Sequence, residues 1–299
     1  MTRVRAYLSM ALHVVCAALT YVLVKPAAVQ FASPAALTML RAGGAALLVL
    51  LLTGSAIPRP RFTPREWLQV GGLGVLLVPL NQYVFVRGMR HTAPSHPALL
   101  YALTPVVVLL MTAALERRAP SRGRALGVLL ALAGVLVLLR PWESGTQAAA
   151  LRHGDLWIAV GVLVWAAYTI AARVLAKRHD ARVVTAWSLV IGALVLLPFC
   201  VGPLRATDYA AVDARGWVGV AWLAAVTSTF MMLLWNGMLR HLEPVQVAIC
   251  ANAQPAATAA LSALLAWAGW LRGDQDLGPA FWTGGALVLA GVVLVQRRR

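Results

Sequence analysis

The sequence predicts an all-α membrane protein of ten transmembrane helices, built as two inverted five-helix repeats around a central cavity. Three observations carry that expectation. The 299 residues are 61% hydrophobic and only 12% charged, with a mean hydropathy of +0.76. Soluble domains sit near 45–50% apolar and about 25% charged, so a water-soluble globule is excluded. The uncharged residues fall into ten runs near the length of ~20 residues that a bilayer requires. Finally, local motifs recur between the two halves of the chain at a spacing of about 150 residues.

The runs, in order, are 6–24, 42–58, 67–86, 92–115, 125–139, 156–172, 183–204, 216–239, 244–271 and 277–296. Arg3 and Arg5 before the first run also describe a signal peptide, but Lys25-Pro26 is a poor cleavage context and nine further runs follow. The first run is therefore read as a retained helix. The second extends back to Pro34 if Arg41 is admitted, and Ser33-Pro34 has the pattern of a cap followed by an N1 proline. The fifth is short, and Arg124 and Arg140 at its ends would snorkel to the interfaces. Trp67, Trp142, Trp157, Trp217 and Trp282 lie near run ends, as interface anchors do.

The net charge of +16 would suit a nucleic-acid partner only if it were gathered on a polar surface, and here it sits in short groups between apolar runs. No nucleic-acid binding is expected; the partners are the lipid bilayer and a small-molecule substrate. With the N-terminus inside, 17 of the 26 Lys and Arg fall on the inner side and 8 on the outer, with Arg41 inside a run. The positive-inside rule then places both termini in the cytoplasm. Six of ten acids, Asp155 among them, fall outside. Cys16, Cys200 and Cys250 lie in apolar runs without metal-ligand or disulfide spacing, so neither metal nor cofactor is expected. Nothing in the chain specifies an oligomeric state.

The repeat is visible in four places. Arg90-His91-Thr92-Ala93-Pro94 matches Arg240-His241-Leu242-Glu243-Pro244 at an offset of 150, and Pro105 matches Pro255 at the same offset. Gly127 and Gly134 are seven apart, as are Gly284 and Gly291, and Leu132–Val135 is identical to Leu289–Val292. A longer loop near Trp270 to Pro279 breaks the register. Five spans per unit is an odd number, so the second copy must enter the membrane from the opposite side. Inverted repeats of this kind are typical of secondary transporters, with substrate held near the midplane where the copies meet. Gly123-x-x-x-Gly127 and the glycines at 43, 44, 71, 72 and 74 would let helix backbones approach closely.

On these features the chain resembles the EamA-type, ten-helix branch of the drug/metabolite transporter superfamily, with units at 6–139 and 155–296. The resemblance is carried by Arg41 on the second span, Ala98-Leu99-Leu100 with Pro105 on the fourth and Gly154-Asp155-Leu156 at the start of the sixth. Trp165 to Thr169, Trp235-Asn236 and the closing pairs of glycines complete it. It implies a basket of helices with a central cavity, and export of small metabolites such as amino acids across an inner membrane by alternating access. A subgroup that exports aromatic amino acids carries Asn-Tyr-Leu-Trp-Pro on the fourth span, where this chain has Tyr101-Ala102-Leu103-Thr104-Pro105. Import or facilitated passage of another solute, or a non-transporting interaction role, are the alternatives. An intramembrane enzyme would need a nucleophile with a base, and the spans offer His13 without an acid at its depth.

Candidate cavity residues follow from helix geometry. Pro105 lacks an amide hydrogen and frees the Tyr101 carbonyl four residues back; Pro255 does the same to Ala251. Both prolines lie ~16 Å into their helices, near the midplane. Tyr101 and Thr104 share a face there, as do Ala251 and Gln254. The alternative is a pair of packing kinks satisfied by neighbouring helices. Arg41, ~10 Å from the outer boundary, would bind a substrate carboxylate, close an outer gate or snorkel. His13, at a similar depth from the inside, is a candidate for proton coupling or a satisfied structural residue. Asn81, Gln82, Tyr83, Trp165, Tyr168, Trp235, Asn236 and Asn252 are the remaining polar or aromatic mid-span positions. Of these, Asn81, Tyr83, Trp165, Tyr168, Trp235 and Asn252 are assigned with Arg41, Tyr101, Thr104 and Gln254 to the cavity.

Overall fold

The structure is a computed structural model that describes residues 3–53, 62–117, 121–140, 142–143, 145–269 and 278–296. Arg59, Arg61, Arg118, Arg272, Asp274, Asp276 and Arg297 to Arg299, all used in the orientation count, lie outside the described residues, as does most of the loop before Pro279.

Among the described residues every span is helical. Helix α1 is Arg3–Leu23, continued after Val24 by the short Lys25–Gln30, and α2 is Pro34–Thr53. Helix α3 has three parts: Pro64–Val75, a π-helical stretch Leu76–Gln82, and Tyr83–Met89. Helix α4 breaks into Ser95–Tyr101 and Thr104–Leu115, and α5 is Arg122–Leu139. The second half has α6 Thr146–Ala176, α7 Ala181–Ala206 and α8, again in three parts (Ala214–Trp222, the π stretch Leu223–Phe230, Met231–Leu239). Helix α9 runs Pro244–Ala248, a 3-10 stretch Ile249–Ala253 and Gln254–Trp267, and α10 is Pro279–Gln296. Nine of these spans are long and apolar enough to cross a membrane, and Pro279–Val295 is a shorter apolar helix. The fifth span, 15 residues by its uncharged run, gains a turn by starting at Arg122.

Local chemistry sets the helix starts. The Ser33 hydroxyl accepts from the Ala36 amide at 3.4 Å ahead of Pro34. Thr63 and Glu66 form a reciprocal capping box around Pro64, and Asp213 accepts from the Gly216 amide at 2.9 Å at the start of α8. Such caps satisfy amide hydrogens that the first helical turn leaves unpaired.

Large apolar side chains on the outside, such as Leu51, Leu129, Phe199 and Trp267, are exposed. A contiguous apolar exterior on this scale fits lipid rather than water. Inside, the helices pack through small residues. A methyl group on Gly127 would lie 2.7 Å from the Gly291 carbonyl, and one on Gly134 2.6 Å from that of Gly284. The glycines that mark the internal match are therefore the points where α5 and α10 touch, and their order shows the two helices antiparallel. Gly74 of α3 meets the backbone of Ser188 and Gly192 on α7, and Gly44 of α2 meets Ala224 of α8. Likewise α1 packs on α9, and α6 on α4. Each contact has a counterpart when the halves are exchanged.

A second recurring device is ionic. The Lys25 ammonium, at the end of the first span, donates to the carbonyls of Met89 (3.0 Å), Arg90 (3.2 Å) and Thr92 (2.7 Å) at the end of α3. In the second half Arg173, near the end of α6, donates to the Leu239 carbonyl at the end of α8 and pairs with Glu243. A cation at a helix C-terminus meets both the unpaired carbonyls and the negative end of the dipole.

Candidate functional site: a central cavity between the halves

Two interrupted helices, α4 and α9, pass through the middle of the bundle, and the breaks fall where the prolines predict. At Pro105 the freed Tyr101 carbonyl is taken by the Thr104 hydroxyl at 2.6 Å. At Pro255 the chain tightens into a 3-10 turn, and the Ala251 carbonyl accepts from the Gln254 amide. The π stretch of α3 reaches the first break through Asn81, whose Nδ2 lies 3.4 Å from the Tyr101 hydroxyl, and α8 carries a second π stretch; bulges of this type are frequent at functional sites.

Between these segments lies a cavity of about 80 Å³. One water needs only ~10–15 Å³ on the same measure, so the space accepts several waters or a small solute. Its wall includes His13, Arg41, Asn81, Tyr101, Thr104, Trp165, Trp235 and Gln254 from among the sequence candidates. Both halves contribute, and polar bonds cross between them. The Tyr21 hydroxyl donates to Gln254 Oε1 at 2.8 Å, Arg41 Nε to Ser228 Oγ at 2.6 Å, and Asn81 Nδ2 to the Gly161 carbonyl at 2.9 Å. Asn81 Nδ2 also reaches the Tyr101 hydroxyl at 3.4 Å.

Three expected residues stand elsewhere. Tyr83, two positions beyond Asn81, is rotated off the cavity face and accepts from Arg87 at 3.2 Å. Tyr168 is fully buried behind Trp165, stacked on it at 5.5 Å, and exchanges hydrogen bonds with Asn236. It supports the wall without lining it. Asn252 is half-buried in the 3-10 turn, outside the cavity wall, and its Oδ1 has no hydrogen-bond partner among the described residues. Pro105 and Pro255 are buried and act through the bends.

The cavity has two aromatic ends. Around Arg41 stand Tyr21, Phe85 and Tyr101, with ring centres 6.2–6.3 Å apart, and the guanidinium carbon lies 5.6 Å from the centre of the Phe85 ring. At the other end Trp165 and Trp235 are 4.9 Å apart, and His13 lies 5.0 Å from Trp235. His13 Nδ1 and Arg41 Nη1 are buried without a hydrogen-bond partner among the described residues. Tyr21, Thr20 and Phe85 escaped the sequence reading although a signal existed. With His13 and Ala17, Thr20 and Tyr21 form one helical stripe at i, i+4, i+7 and i+8, and Phe85 lies four residues after Asn81.

Asp155, counted with the acids of the outer side and placed at the start of the sixth span, is not solvent-exposed. It is buried, with its carboxylate bonded to His96 Nδ1 at 2.8 Å and to the Thr92 hydroxyl. The α6 helix begins at Thr146, a full turn and more before Asp155, and so draws the residue into the bundle against α4. This cluster stands apart from the central cavity wall.

A many-helix membrane bundle with a hydrated-size cavity shared by its halves is the architecture of a membrane transporter. The chain matches the EamA-like transporter family over residues 4–140 and again over 152–297, and it belongs to that family. Among similar proteins, the uncharacterized transporter YyaM of Bacillus subtilis (strain 168) is 23% identical over 90% of this chain and 88% of its own. An uncharacterized transporter of Archaeoglobus fulgidus is 24% identical over 91% of each chain. One solved crystal structure, 18% identical, has a TM-score of 0.64 and covers 96% of this chain and 97% of its own, which is a likeness of fold.

Proposed function

We propose that this transporter is an exporter of small metabolites, amino acids included, which it moves across the inner membrane by alternating access. Two inverted units, 6–139 and 155–296, rock against each other about the central cavity, and both termini lie in the cytoplasm. The observation that carries the reading is the cavity itself, walled by both halves and flanked by the paired breaks at Pro105 and Pro255. A site shared between two rigid halves is exposed to either side by a small relative rotation, which is how inverted-repeat transporters work. The antiparallel α5–α10 contact and the exchangeable packing pairs support the inverted arrangement.

Purified protein in liposomes, loaded with a panel of amino acids and other small metabolites, tests this directly. Saturable counterflow of at least one solute is expected, and pH and potential jumps then separate ion coupling from facilitated passage. A tight bilayer with no solute movement from a broad panel, while the protein remains folded, would remove transport as the activity.

A further inference from the structure

We infer that the cavity selects a small organic anion, a single carboxylate on an apolar or aromatic body, and disfavours solutes with a free ammonium group. This rests on the transport reading and narrows its substrate class, setting aside the amino acids, each of which carries an ammonium group.

The charges in the wall are of one sign. Arg41 is the one formal charge among the described lining residues, and they include no Asp or Glu. Asp155 is held by His96 and Thr92 in its own buried cluster. Arg41 is 5% exposed, so its charge is removed from bulk water. Ser228 takes Nε, and Phe85 lies against the guanidinium, but Nη1 has no hydrogen-bond partner among the described residues. A buried cationic N–H without an acceptor is strongly unfavourable, and a carboxylate supplies both the acceptor and the opposite charge.

For an ammonium group the wall offers the unpaired His13 Nδ1 and the faces of Trp165 and Trp235, set against the charge of Arg41. Acceptors at the two bends are engaged: the Tyr101 carbonyl by Thr104, the Ala251 carbonyl by the Gln254 amide, and Gln254 Oε1 by Tyr21. It would also stand near a like charge in a low-dielectric space, where repulsion is weakly screened. The rest of the wall suits an apolar body, with Tyr21, Phe85 and Tyr101 beside Arg41 and Trp165 and Trp235 beyond. Arg41 is the one Lys or Arg among the described lining residues, and Ser188, as far from the start of α7 as Arg41 is from that of α2, is uncharged, so the cavity accommodates one carboxylate.

Two matched sets of probes test the inference on purified protein in nanodiscs, by quenching of tryptophan fluorescence and by calorimetry. The first set is 3-phenylpropionate, phenylalanine and phenethylamine; the second is 4-methylpentanoate, leucine and 3-methylbutylamine. In at least one set the carboxylate is expected to bind about tenfold or more tightly than its zwitterion and amine, the scale of a charge-assisted hydrogen bond. Arg41→Gln should abolish that preference, and Arg41→Lys should keep its sign with weaker binding. Equal or tighter binding of the zwitterion or amine, no binding of either carboxylate, or a preference that survives in folded Arg41→Gln would overturn the inference. The wild-type comparison stands even if Arg41→Gln does not fold. Counterflow separates the two levels: movement of leucine or phenylalanine but no carboxylate would sink the anion site and leave transport intact. Carboxylate binding without movement of any solute would do the reverse.

Discussion

The first and second halves of the molecule share a skeleton and differ in chemistry. Both have a span interrupted by a π stretch, a following span broken at a proline, a cation that caps the end of the π-containing span, and a closing helix with two glycines seven apart. The side chains placed on that skeleton diverge. Counted from their helix starts, Arg41 answers to Ser188, and at the offset of 150 Tyr101 answers to Ala251 and Phe85 to Trp235. Backbone devices are held by packing that must close on both sides of the bundle, whereas cavity positions are free to become unlike. A symmetric frame thus encloses an asymmetric site, and the asymmetry includes its single fixed cation.

The comparison breaks most sharply at Arg41 and Ser188. Arg41→Ala should reduce transport by at least about tenfold, the scale of one lost charged hydrogen bond, with folded protein in normal yield. Ser188→Ala removes a buried hydroxyl without a hydrogen-bond partner among the described residues and should leave flux near wild type. Proteoliposome uptake measures both, and normal flux in Arg41→Ala would assign that residue to packing or snorkelling.

The closing helices come next. Gly134→Leu and Gly284→Leu both force a side chain into a facing backbone, and overpacking of this kind costs about 1–3 kcal/mol. Both should lower thermal stability in detergent by similar amounts, and a large difference between them would show that the α5–α10 contact is less symmetric than its geometry. Gly123→Leu, where nothing lies within 4 Å, is the control and should be silent.

The two cationic caps should differ more subtly. Lys25→Ala loses three carbonyl contacts and Arg173→Ala loses one carbonyl and one carboxylate. Bonds to charged groups contribute about 1.5–3 kcal/mol, so both variants should melt earlier. Only the Arg173 effect should shrink in Glu243→Gln, which a double-mutant cycle would read.

The smallest expected contrast lies at the starts of α3 and α8, capped by Thr63 and Asp213. Thr63→Ala should cost about 0.5–2 kcal/mol, independent of pH in the acid range apart from its Glu66 partner. The Asp213 carboxyl is held below the usual carboxylate range, chiefly by the Gly216 amide. Its contribution is therefore present above that range and fades as pH falls through the lowered value. Asp213→Asn should flatten this part of the acid dependence of the melting temperature, and an unchanged profile would show that the cap does not titrate as described.

Much of the architecture was legible before any coordinates. Charge spacing marked out most spans to within a few residues, because a charge inside lipid is costly, while α6 starts at Thr146, ten residues ahead of its uncharged run. Pro105 and Pro255 marked the breaks because proline removes a specific hydrogen bond, and Gly127, Gly134, Gly284 and Gly291 proved to be contact points. The π stretches were not legible. Pro79 lies in the first, but Leu223–Phe230 contains no proline, and its register is set by the helices packed around it. Nor did composition reveal that Asp155 turns inward to His96, since a loop acid and a buried acid read alike until the neighbouring helix is in place.

Periodicity, charge and proline chemistry are local properties, so the chain by itself determined its membrane character, its spans, the breaks in α4 and α9 and the presence of an intramembrane cation at Arg41. Only the tertiary structure decided which face of each helix meets the cavity. That choice brought in Tyr21 and Phe85, turned Tyr83 away and set Tyr168 behind Trp165, because a helix's rotation about its own axis is fixed by the partners it packs against and not by the order of its residues.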